Sequence, residues 1–138
     1  YKQICFEKGL QLNVNHHGND FMLKADEYTA TQIFDNLLSN ASKYTIKGSI
    51  TINAISKNDK IIVEICDTGI GIYKQYLPNL FKPFSQEEQG YSRKFEGTGL
   101  GLALVKKYCE LNKAEIKYES KKGAGTKFIV TFNSQIIN

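Results

Sequence analysis

The chain has no apolar run approaching the roughly 18 residues of a membrane-spanning helix. Cysteine is sparse: Cys5, Cys66 and Cys109 lie far apart and form no C-x-x-C pair, which argues against zinc and thioredoxin-like chemistry. Free thiols fit a reducing, cytoplasmic setting. Cys66, inside the apolar run "IIVEIC", reads as a small core residue. Histidine is limited to His16 and His17, in the polar stretch "NHHGND", which reads as a surface turn. No signal peptide is present, and no initiating Met either. The chain opens at "YKQICFEKGL" and reads as a piece of something longer, so a targeting or membrane segment can lie elsewhere.

Charge of one sign does not cluster. The net charge is +4, but the densest basic groups are the pairs Lys106-Lys107 and Lys121-Lys122. That pattern reads as a solvated surface, with no nucleic-acid partner expected. Hydrophobic residues make up 41% and charged residues 23% of 138 positions, enough for one domain with a real core.

What is there is ordered along the chain. "LQLNVN" alternates, with Leu10, Leu12 and Val14 on one face, and predicts a strand; "FMLKA" predicts another. Asp26 fits the N-cap of a helix starting at Glu27, with Ile33, Phe34, Leu37, Leu38 and Ala41 as its buried stripe. "SITINAIS" and "KIIVEICD" form a hairpin across "KND". Short apolar pieces follow near Leu77, Leu80 and Phe84, then the polar, aperiodic "SQEEQGYSRKFE". A helix over Leu100 to Leu111 places Leu100, Leu104, Val105, Tyr108 and Leu111 on its core side, and "AEIKYES" and "TKFIVTFN" close the chain around "KKGAG". About three helices and six strands, paired mostly as hairpins, predict an α+β two-layer sandwich. Its sheet is mixed but mostly antiparallel, with the helices on one face.

Three short stretches carry chemistry. "EGTGLGLAL" opens a helix with Gly97, Gly99 and Gly101, spaced for neither a dinucleotide fingerprint nor a Walker loop. Such glycines let backbone N–H groups meet an anion at a helix N-terminus, though alone they fit a flexible hinge equally well. "NLLSNASKYT" puts Asn36 and Asn40 one helical turn apart, with Lys43 close to the same face. Asn is a mediocre helix former, and a carboxamide oxygen suits Mg²⁺; the plainer reading is two solvent-facing polar residues. "DTGIGI" sets Asp67 at a strand end, where a carboxylate can accept from an exocyclic amine. An Asp-x-Gly turn explains it as simply.

Taken in order, the stretches resemble the catalytic and ATP-binding domain of sensor histidine kinases, within the Bergerat-fold ATPases that include DNA gyrase, the heat-shock-90 chaperones and the mismatch-repair ATPases. "NLLSNASKYT" looks like the N box, "DTGIGI" the first glycine box, "FKPFSQ" the F box, "GTGLGLAL" the second glycine box and "GAGT" the third. The likeness spans roughly Lys8 to Asn133 and implies one domain over 1–138, a fragment of a longer kinase.

The resemblance implies roles. Asn40 would hold Mg²⁺ on the triphosphate with Asn36 beside it, Lys43 would reach phosphate oxygens, and Tyr44 would pack near adenine or ribose. Asp67 would bind the adenine amino group, with Gly69, Gly71 and Ile72 lining the base pocket and Thr126 closing it. Phe81 and Phe84 would anchor one end of a lid, and Arg93 and Lys94 on it would approach the outer phosphates. Gly97, Thr98, Gly99, Leu100, Gly101 and Leu102 would form its far hinge and the phosphate-facing helix start. The phosphoacceptor histidine would lie on helices of the parent outside this chain, whose own fragment would be a monomer unable to autophosphorylate; the parent would be a homodimer, membrane-anchored or not, serving a response regulator. A non-catalytic nucleotide-binding module and a Bergerat-fold serine kinase stand as alternatives. "LNKAEI" departs from the family's Gly-Gly turn, and Ala124 from the third box's second position.

Overall fold

The structure is a computed structural model that describes Cys5, Glu7 and residues 9–17, 25–75, 77–82 and 101–133. In chain order these form β1 (Gln11–His17), α1 (Glu27–Tyr44), β2 (Ser49–Lys57), β3 (Lys60–Asp67), a single 3-10 turn (Leu77–Asn79), α2 (Gly101–Leu111), β4 (Glu115–Lys121) and β5 (Gly125–Asn133). Two α-helices occur among the described residues where about three were expected. The apolar pieces near Leu77 and Leu80 yield a single 3-10 turn, with Pro78 in its first turn, where a missing N–H costs nothing. Five strands are seen against an expected six. Of "FMLKA" only Ala25 is described, as a bend; Phe84, Arg93, Lys94, Gly97, Thr98, Gly99 and Leu100 also lie outside the described residues.

The strands form one mixed sheet in the order β1-β2-β3-β5-β4. Only β1 and β2 run parallel, joined through α1; the other three pairs are antiparallel. The β2–β3 hairpin turns on Asn58 and Asp59, both with positive φ (52° and 61°). Asn and Asp tolerate that conformation, and two such residues give the turn whose twist matches the flanking strands.

Alternation sets the two faces of the sheet. Ile61, Val63 and Ile65 of β3 point to the core, in register with Phe132, Val130 and Phe128 of β5. Ile33, Leu37 and Ala41 of α1 and Val105 and Cys109 of α2 cover that face. Each large apolar side chain so buried contributes about 1.5–3 kcal/mol of transfer free energy. The opposite face carries a polar row: Asn15 donates to Asn53, Asn53 to Glu64, and Glu64 pairs with Lys127 at 3.2 Å. Cys66 lies on this outer face, half-buried opposite Thr51 and Lys127, and not in the core as its apolar run suggested. The core thiols are Cys5 and Cys109; burial pushes the Cys109 thiol up to about 11.

Asp26 caps α1 as expected, its carboxylate accepting from the Thr29 N–H at 2.9 Å. On α2 the buried stripe is narrower than its leucines imply. Val105 is fully buried, but Leu104 and Leu111 are 38% and 64% exposed, because α2 leans on α1 and β4 through its Val105–Cys109 side. His16 and His17 end β1 in parallel register with Ala54 and Ile55, so they are strand residues and not part of the expected surface turn, whose remaining residues 18–20 lie outside the described residues. Val14, on the edge strand, is exposed. Among the described residues no helix is long and apolar enough to cross a membrane.

Candidate functional site

Five of the expected residues meet where β3 ends. Asp67 is the last residue of β3, in register with Thr126 of β5. Its Oδ1 accepts from the Gly69 N–H at 2.9 Å and from the Thr126 N–H at 3.2 Å. One oxygen of the carboxylate is thus tied to both the first and the third glycine stretch. Burial pushes the Asp67 carboxyl above the ordinary carboxylate range, against the pull of these two hydrogen bonds.

The two glycine stretches are docked on each other. The Gly123 N–H donates to the Ile70 carbonyl at 2.8 Å, and the Ile72 N–H to Ser120 Oγ at 2.9 Å. Contact is too close for side chains. A Cβ on Gly71 would sit 2.0 Å from the Lys121 carbonyl oxygen, and one on Gly125 2.0 Å from that of Asp67; both residues have positive φ. The glycines here serve backbone-to-backbone packing.

The same loop is docked on the end of α1. The Ile70 N–H donates to the Tyr44 carbonyl at 3.1 Å, and a Cβ on Gly69 would collide with that same oxygen. Thr45 lies beside it and was not anticipated. It is 1% exposed, and its Oγ1 is the one buried side-chain polar atom without a partner among the described residues.

Asn36, Asn40 and Lys43 follow one another along α1, Asn36 and Asn40 half-buried and Lys43 exposed in the last turn. The Asn36 amide is oriented: its Nδ2 donates to the Gln32 carbonyl at 2.9 Å, which leaves Oδ1 as the free end. That oxygen lies 3.4 Å from where a Cβ on Gly101 would stand, so it faces the first residue of α2. Leu102, the next residue, is half-buried against the core. Phe81 packs on Tyr118 and Phe128, with ring centroids 5.8 and 6.4 Å away, and so joins the core. Among the described residues no three His, Cys, Asp or Glu side chains group to hold a metal. A cation here would need the carboxamide oxygens and a ligand's own phosphates.

Ser120 is the other residue that motif reading passed over. Its hydroxyl touches Ile72, Gly125 and Thr126 at once. The available signal was a small polar residue on the inward side of β4, following Ile116 and Tyr118 at every second position.

Residues 25–136 match the family described as Histidine kinase-, DNA gyrase B-, and HSP90-like ATPase. The sequence is 38% identical over 138 residues to the autoinducer 2 sensor kinase/phosphatase LuxQ of Vibrio harveyi, covering 95% of this chain and 16% of that protein. It is 38% identical over 108 residues to the sensor histidine kinase RcsC of Escherichia coli, covering 78% of this chain and 11% of that one. The chain therefore spans a small part of the length of these relatives. In fold it is similar to full-length ShkA, solved with AMPPNP (TM-score 0.83, 24% identity, 98% of this chain and 28% of that one). It is likewise similar to the catalytic domain of the histidine kinase ThkA (TM-score 0.80, 21% identity, 96% and 84%). The docked glycine stretches, the strand-end Asp67 and these matches agree: the chain belongs to the histidine kinase-, DNA gyrase B- and HSP90-like ATPase family, as an ATP-binding domain of the sensor histidine kinase type.

Proposed function

We propose that this chain binds Mg-ATP and donates the γ-phosphoryl group to a histidine on a separate dimerisation and phosphoacceptor domain, in two-component signalling. The observation that carries the reading is Asp67: a half-buried carboxylate at a strand end, held by one oxygen between two glycine stretches. Held so, it offers its other oxygen to the exocyclic amine of adenine. Gly69, Gly71, Ile72, Tyr44 and Thr126 would line the base side. Lys43, and Arg93 and Lys94 beyond the described residues, would meet the phosphates, with Gly97, Thr98, Gly99, Leu100, Gly101 and Leu102 at the phosphate-facing helix start.

The residues on α1 fit the metal. Asn36 presents a carboxamide oxygen toward the start of α2, and Asn40 lies one turn further along the same helix, where it would serve as the Mg²⁺ ligand. Bound there, the ion would neutralise triphosphate charge. The protein's share is positioning, since phosphoryl transfer asks little covalent help. A histidine nitrogen forms the bond to the γ-phosphorus, the bond to the β–γ bridging oxygen breaks, and ADP leaves. Asn36 has no basic group with which to activate water, which favours transfer over hydrolysis.

The reading is tested by mixing the chain with the separately made phosphoacceptor helices of its parent and labelled ATP. Label is expected on a histidine, lost in Asn40→Ala along with Mg²⁺-dependent nucleotide affinity. Tight nucleotide binding without any labelled acceptor would leave only a binding module.

A further inference from the structure

Ser120 Oγ makes three contacts with one hydrogen and two lone pairs. The Ile72 N–H approaches at 2.9 Å, the Gly125 carbonyl oxygen lies at 3.1 Å, and Thr126 Oγ1 at 2.9 Å. An amide N–H only donates and a carbonyl only accepts. One assignment satisfies all three contacts: Ser120 gives its proton to Gly125, and the Thr126 hydroxyl gives its own to Ser120. Thr126 Oγ1 is then left with acceptor capacity alone. Its neighbour is Asp67, bound by Thr126's own N–H at 3.2 Å, and a carboxylate likewise only accepts.

We infer that Ser120 is a specificity-determining residue: by taking the Thr126 proton it keeps the Asp67–Thr126 floor acceptor-only, so that a nucleotide base must present a donor there. An exocyclic amine meets that demand. A keto oxygen at the same ring position meets two acceptors and is rejected, because a buried acceptor facing acceptors goes unpaired. Ser120 acts through Thr126 and Ile72 and need not touch the base. The inference rests on the nucleotide reading above.

The test measures ATP and ITP affinities, in Mg²⁺, for the whole 138-residue chain and for Ser120→Ala. The two nucleotides differ at the ring position in question, an amine in one and a keto oxygen in the other. Freed of Ser120, the Thr126 hydroxyl can turn and donate to the keto oxygen. The ATP-over-ITP preference is expected to fall about three- to tenfold, the net worth of one hydrogen bond. A purely structural Ser120 would weaken both nucleotides equally, and an unchanged ratio overturns the inference. Should Ser120→Ala not fold, Ser120→Cys carries the test, because a thiol is only a weak acceptor for the Thr126 proton; a fall in the same direction is expected, and an unchanged ratio again overturns the inference. A wild-type chain that binds ATP and ITP equally overturns this inference, and with it the amine contact of Asp67, but leaves nucleotide binding and phosphoryl transfer standing. One that binds neither refutes the nucleotide reading beneath it.

Discussion

Asn112 Oδ1 accepts a 2.8 Å hydrogen bond from the backbone N–H of Asp26, 86 residues earlier in the chain. The same amide donates through Nδ2 to Thr29 Oγ1 and to the Tyr108 carbonyl, each at 2.8 Å. Asp26 is the N-cap of α1, and Asn112 closes the last turn of α2. The end of one helix is thereby tied to the start of the other, and at the far end of α2 Gly101 lies against Asn36. Asn112→Ala removes both cross-links and leaves the Asp26 N–H to solvent. A stability loss of about 1–3 kcal/mol is expected, read as a lower urea midpoint with unchanged slope. An unchanged midpoint would show that the clamp holds nothing.

Lys113 follows that clamp with φ +54°, a left-handed conformation that lysine adopts at a cost. The hydrogen bonds explain why it is there. The Ala114 N–H reaches back to the Cys109 carbonyl at 2.8 Å and the Lys113 N–H to that of Glu110 at 3.2 Å, the helix ending that glycine usually supplies. The "LNKAEI" turn is thus closed without a glycine. Lys113→Gly is expected to stabilise the chain by about 0.5–1 kcal/mol, after the greater freedom of glycine in the unfolded state is set against the relieved strain. Thermal melts of the two proteins side by side would show it as a rise of a few degrees, and a fall would mean that the strain is not there to relieve.

These two residues also mark where sequence reading stops. Helix α1 was legible because Ile33, Leu37 and Ala41 recur at helical spacing behind an Asp cap, and the β2–β3 hairpin because β-branched runs flank a polar turn. Cys66 was misplaced because an apolar run conceals which of two alternating faces each residue takes; Glu64, two positions earlier, is the clue, sharing the outer face. Leu104 and Leu111 were misplaced because helical spacing cannot say how wide a stripe the neighbouring elements cover. Asp67, Gly71 and Thr126 could be picked out as motif members, whereas Ser120 and Asn112 work through partners 48 and 86 residues away that no local pattern specifies.

Gly125 tests whether the two glycine stretches depend on contact. Its φ of +119° is strained for any other residue, and a Cβ there would stand 2.0 Å from the Asp67 carbonyl oxygen. Gly125→Ala must move β5 away from the end of β3, which lengthens the Thr126 N–H bond to Asp67. A loss of several kcal/mol is expected, more than the roughly 1–3 kcal/mol of backbone strain alone, together with weaker nucleotide binding. Gly123→Ala is the control: its φ is also positive, but a Cβ there meets nothing within 4 Å. It is expected to show the strain cost without the binding loss, and equal binding losses in the two variants would mean that contact is irrelevant.

Asp67 gives a prediction in pH. Burial holds its carboxyl above the ordinary carboxylate value, so the folded chain keeps a proton that the unfolded chain has already released. Between the unfolded value and the raised folded one, the folded state therefore binds more protons, and stability falls as pH rises through that window. Above it the full penalty of a buried charge is in force. Asp67→Asn removes that charge while its amide oxygen can still accept from Gly69 and Thr126. The variant is expected to match wild type at acid pH and to exceed it increasingly as pH climbs past the ordinary carboxylate range, levelling off above the folded value. Urea midpoints measured from pH 3.5 to 8 would trace the difference, and nucleotide affinity at pH 7 is expected to fall in the same variant. A variant that loses stability relative to wild type as pH rises would show that the Asp67 charge is compensated by its surroundings, and that its burial is no penalty held for the sake of the base.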